Sequence, residues 1–116
     1  MNKAIIGKLN AISVFSAWLF LPSSFIWLGY HSYFGDPTTS AVTFVYLFGA
    51  FLISGIFHLL LAYFVRCPNC FKCITVQGFK KPHASSKGDW SKVIWYWFSG
   101  TVVCIHCGEE VDTNAL

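Results

Sequence analysis

The chain has 116 residues, 55% of them hydrophobic and only 11% charged, with a formal net charge of +3. That length holds one small unit rather than several domains, and that composition suits a membrane protein better than a water-soluble globule. So small a net charge gives nucleic acid no foothold by itself; where the charges lie says more.

Between Lys8 and Arg66 the only charged side chain is Asp36. The break at Gly35-Asp36-Pro37 divides this stretch into two apolar runs, each long enough to cross about 30 Å of hydrocarbon as a helix. The first span is expected over about residues 9–30. Its apolar run continues through Trp18, Phe20 and Trp27 without a small-residue cleavage site, which marks an uncleaved anchor rather than a signal peptide. Pro22 cannot donate a backbone hydrogen bond, so a kink is expected there, with Ser23 and Ser24 satisfying freed carbonyls. Trp27, Tyr30 and Tyr33 gather at the far interface.

The second span is expected over about residues 41–65. Gly49, Ala50, Ser54 and Gly55 would form a seam of small residues against the first span or another subunit. His58 is the only imidazole within a predicted span. Its separation from His31 along the second helix rules out a shared haem within one chain, leaving a neutral histidine hydrogen-bonded across the helix pair. Lys3 and Lys8 precede the first span; Arg66, Lys72, Lys80, Lys81, Lys87 and Lys92 follow the second, and the connecting loop has no Lys or Arg. Basic residues stay on the cytoplasmic side, so both termini are expected inside.

The expected architecture is therefore an α-helical transmembrane hairpin of two spans (residues 1–65) with a small β-rich cytoplasmic head (residues 66–116). Such a head falls below the size at which an apolar core usually suffices alone. Cys73 to Gln77 suits a short strand ending at Gly78, and Lys80 to Asp89 reads as a mobile loop. Val93 to Ile105 reads as a strand on its aromatic and β-branched content, with Val93, Trp95 and Trp97 sharing one face.

Cys67-Pro68-Asn69-Cys70 and Cys104-Ile105-His106-Cys107-Gly108 are two C-x2-C pairs. Two intervening residues let both thiolates of a pair converge on one ion, and four thiolates make a closed tetrahedral Zn²⁺ site of the structural kind. A reducing cytoplasmic face and an odd number of cysteines argue against disulfides. Over roughly residues 66–111 the head resembles the zinc-ribbon superfamily, whose pattern is a Cys-Pro-x-Cys-Gly knuckle, a hairpin region and a second Cys-x-x-Cys-Gly knuckle. The resemblance implies Cys67, Cys70, Cys104 and Cys107 as the metal ligands. Phe71 departs from the pattern, which has Gly there. Cys73 is left as an unliganded thiol on the first strand, His106 as an outward-pointing knuckle residue, and His83 as part of the loop.

No nucleophile–base pair, phosphate loop or paired carboxylate is present, and Asp89, Glu109, Glu110 and Asp112 read as a solvated face, so no enzyme activity and no small-molecule substrate are expected. The reading is an integral membrane protein whose structural four-cysteine zinc ribbon serves as a protein-interaction or assembly module. Its partners would be the bilayer and a membrane protein or a second copy of the chain. Iron in the same four thiolates, making a membrane-tethered rubredoxin-like electron carrier, is the alternative. Nucleic acid is disfavoured by sparse lysines and neighbouring acids.

Overall fold

The computed structural model describes residues 2–86 and 88–116; Met1 and Lys87, the latter one of the basic residues behind the expected topology, lie outside them. Two long helices come first, α1 (Lys3–Phe34) and α2 (Pro37–Ala62). Only Gly35 and Asp36 separate them. Asp36 is both the break and the cap of α2: its carboxylate accepts from the Thr38 N–H at 3.3 Å and from the Thr39 hydroxyl at 3.1 Å. Pro37 follows in the first helical position, where its missing N–H costs nothing.

Both helices are long and apolar enough to cross a membrane. Their limits differ from the expected spans, because helix propensity does not stop where hydrophobicity does. α1 begins six residues earlier than residue 9, and α2 ends at Ala62, leaving Tyr63, Phe64 and Val65 outside it. α1 continues through Pro22. The Ser23 hydroxyl donates to the Leu19 carbonyl at 2.7 Å and that of Ser24 to the Leu21 carbonyl at 2.6 Å, so both serines are bonded back into the helix. Of the four small residues of the expected seam, Gly49 and Gly55 face open space within the chain: a Cβ at either would meet nothing within 4 Å.

By their contacts the residues fall into two compact units, one of residues 13–57 and the other of residues 1–12 with 58–116. The head thus takes in helix ends that the sequence reading assigned to the hairpin. In the first unit, Phe25 of α1 meets Phe44 of α2 edge-on at 6.0 Å between centroids, and Leu19, Ile26, Val45 and Ile53 stay exposed.

In the second unit a helix-spaced face of α1, with Ile6 and Ala11 buried, joins Val65, Ile74, Val93, Trp97, Val102, Ile105 and Val111 in one core. A head of some fifty residues is short of apolar surface, and the borrowed turn of helix supplies it. Gly7 permits the closest approach: any Cβ there would run into the Trp97 indole.

The stretch expected to be a strand from Val93 to Ile105 is helical in its first half and a strand only near its end. α3 covers Trp90–Trp95, a 3-10 turn covers Trp97–Ser99, and only Thr101–Val103 is a strand, β1. Asp89 starts α3 by accepting from the Ser91 N–H at 3.1 Å. The run is apolar at both periods, and helical spacing wins because it buries Val93, Ile94 and Trp97 on one side while Trp95 stays 63% exposed. β1 pairs antiparallel with β2 (Glu110–Asp112), with Val102 opposite Val111. The strand expected at Cys73 to Gln77 shrinks to a single antiparallel bridge between Arg66 and Cys73.

Candidate metal centre

The two C-x2-C turns have the same backbone. In the first, the Cys67 N–H donates to the Lys72 carbonyl and the Phe71 N–H to the Cys67 carbonyl, both at 2.9 Å. In the second, the Cys104 N–H donates to the Glu109 carbonyl at 2.8 Å and the Gly108 N–H to the Cys104 carbonyl at 2.9 Å. The Asn69 and Cys70 N–H groups turn onto the Cys67 sulfur, as those of His106 and Cys107 turn onto the Cys104 sulfur. The second turn is the tip of the β1–β2 hairpin; the first is closed by the Arg66–Cys73 bridge.

The turns face each other. Cys67, Cys70, Cys104 and Cys107 place their four sulfurs within 4.8 Å of one another. Across the turns, Cys67 Sγ lies 3.7 Å from Cys107 Sγ and Cys70 Sγ 3.8 Å from Cys104 Sγ. Sulfurs at about 2.3 Å from a tetrahedral Zn²⁺ stand roughly 3.8 Å apart, so this spacing is that of a metal cage. It is far longer than the ~2.05 Å of a disulfide bond, and all five cysteines are free. The arrangement is compatible with a zinc-ribbon-like site.

The electrostatics of the bare thiols point the same way. Burial pushes the Cys104 thiol up to about 12 and raises that of Cys67, against the N–H groups aimed at them. For Cys107 burial also opposes ionisation. There it is outweighed by hydrogen bonds from the Glu109 N–H, the Asn69 side chain and the Cys104 and Cys67 thiols, which bring it down to about 7. Four sulfurs this close, two of them on buried cysteines, cannot all carry charge without a cation among them.

Cys73 stays out of the group, as expected, and so do both nearby histidines. His106 does not point outward. Its Nε2 lies 2.9 Å from the Cys73 carbonyl and 3.1 Å from that of Val76. Two acceptors require Nε2 to carry the proton, so His106 ties the second knuckle to the segment following the first. The loop expected to be mobile is anchored at His83, whose N–H donates to the Ile105 carbonyl at 2.8 Å.

A second polar cluster gathers around His58, with Asn10 and Thr75 as partners that escaped the sequence reading. Asn10 of α1 is fully buried; its Nδ2 donates to the Thr75 hydroxyl at 2.8 Å and its Oδ1 stands 2.7 Å from His58 Nδ1. With the Asn10 amide so placed, Oδ1 is the acceptor and His58 Nδ1 the donor. The expected hydrogen bond of His58 to the other helix is present, and it continues into the head. The imidazole also stacks on Trp90 at 5.9 Å. His58 marks this cluster in the sequence; a lone Asn at the start of an apolar run is the further signal that could have marked Asn10. No protein-family model, curated protein or solved structure matches this chain.

Proposed function

We propose that the protein is a two-span membrane protein whose head is a zinc ribbon, held at the cytoplasmic face and used as a protein-interaction or assembly module. The observation that carries the metal part is the four-sulfur group, all within 4.8 Å, on two turns of identical hydrogen bonding. Zn²⁺ would be held by Cys67, Cys70, Cys104 and Cys107 and would supply folding energy rather than chemistry, since four protein ligands leave no open position.

The membrane part rests on length and exposure. Outside the head, α1 contributes residues 13–34 and α2 residues 37–57. At 1.5 Å per residue these are about 33 and 31 Å, close to the thickness of one hydrocarbon layer. The apolar window of α2 is wholly unburied, unlike a soluble core helix. Lys3, Lys8 and Arg66 at the head side favour a cytoplasmic head. Trp95, Tyr96 and Phe98 remain exposed and supply the aromatic contact surface such a module needs.

Elemental analysis of the purified protein, with carbonate extraction of its membranes, tests both parts. One zinc per chain in colourless, unextractable protein is expected. Iron in the same cage, giving red protein that bleaches on reduction, would make it an electron carrier instead; Cys70 and Cys107, less buried than Cys67 and Cys104, favour that second reading.

A further inference from the structure

A cleft of about 550 Å³ lies beside the first knuckle, lined by Lys3, Tyr63, Phe64, Arg66, Glu110 and Asp112 among others. From it we infer a binding site for the headgroup of a zwitterionic phospholipid, phosphoethanolamine in particular. This rests on the membrane reading above.

Arg66 is already held in place for such a ligand. Its Nε donates to the Tyr63 carbonyl at 3.0 Å, and its guanidinium lies over the Tyr63 ring at 4.6 Å from the centroid. The two terminal nitrogens are left to meet a phosphate side by side, the geometry in which arginine binds phosphate best. Lys3 supplies a second cation. Neither is in an ion pair among the described residues, although Glu110 and Asp112 line the same cleft. Two cations and two carboxylates outside any ion pair among the described residues, the Asp112 carboxylate accepting from the Asn114 N–H at 2.8 Å, match a ligand carrying both signs, and a purely anionic lipid would meet repulsion from β2.

The carboxylates also choose between headgroups. An ethanolamine ammonium donates hydrogen bonds to Glu110 and Asp112; a choline has no N–H to give, and of the rings lining the cleft, those of Tyr63, Phe64 and Phe71, the first is already covered by Arg66. Tyr63 and Phe64 follow directly on α2 and are exposed, as residues that sit among headgroups and upper acyl chains are.

The test uses delipidated full-length protein in mild detergent, titrated calorimetrically with dihexanoyl-phosphatidylethanolamine, dihexanoyl-phosphatidylglycerol and inorganic phosphate. Phosphatidylethanolamine should bind at least about tenfold more tightly than phosphatidylglycerol, because charge-assisted hydrogen bonds to the ammonium are lost in the latter. Glu110→Gln with Asp112→Asn should abolish that preference, and Lys3→Gln with Arg66→Gln should weaken both lipids. Equal or tighter phosphatidylglycerol binding, phosphate binding as tight as that of the lipid, or no lipid binding would overturn the site. If a double variant loses its metal, the order of affinities in the unaltered protein decides alone. Protein that carbonate strips from membranes overturns the membrane reading together with this site; embedded protein without the preference overturns the site only.

Discussion

Phe71 and Gly108 occupy the same place in the two knuckles: each N–H reaches back 2.9 Å to the carbonyl of the cysteine four residues before it, and each has a positive φ, 58° for Phe71 and 78° for Gly108. Glycine takes that conformation freely, whereas Phe does so against its own Cβ. Phe71 is also 71% exposed, so little burial repays the strain.

Phe71→Gly should therefore stabilise the metal-bound head. Relief of about 1–2 kcal/mol of backbone strain exceeds the roughly 0.5–1 kcal/mol lost to a freer unfolded chain. Gly108→Ala should destabilise it by more than 1 kcal/mol or so, because its Cβ would also strike the His83 ring. Denaturant titration of the zinc-loaded protein in detergent checks both signs.

Replacing ligands should divide the five cysteines four to one. Cys104→Ser should lose the metal and leave a head that proteases digest, with membrane insertion intact, because metal binding and folding are one event in so small a domain. Cys73→Ser should keep one zinc per chain, as its sulfur stands outside the cage. Metal loss from the Cys73 variant would mean a different set of four sulfurs.

Metal affinity should fall steeply as pH falls. Zinc binds thiolates, and without it Cys104 sits near 12 and Cys67 above its ordinary value, both because of burial. Binding at neutral pH must then expel at least those two protons, so affinity drops by about a hundredfold per unit towards acid. Cys107, at about 7, begins to add a further proton to the count as pH falls through that value. Competition with a chelator at pH 6.5 and 7.5 measures the slope; less than a tenfold change would exclude the thiolate set.

Asn10→Ala should cost about 1–3 kcal/mol by leaving the Thr75 hydroxyl and His58 Nδ1 without their partner. A double-mutant cycle with His58→Ala should return a coupling of about 0.5–3 kcal/mol, the range for residues in one hydrogen-bond network. Additive losses would show that the 2.7 Å contact carries no weight.

The two apolar runs and the paired cysteines were legible from the chain alone. A near-absence of charge from Lys8 to Arg66 and a C-x2-C spacing are local statements about solvent and ligand chemistry, and they survive folding unchanged. The stretch from Trp90 to Val103 was not legible, because its aromatic residues satisfy a period of two as well as 3.6, and the choice fell to which side could reach the core. The Asp89 cap was written there, but it is a short-range signal that the apolar content outweighed. Asn10 meeting His58 and Thr75, His106 clamping the Cys73 and Val76 carbonyls, and Gly7 admitting the Trp97 ring were decided by tertiary structure alone. Each joins residues distant along the chain, and a buried polar group or a ring finds its partner only once packing has brought the two together.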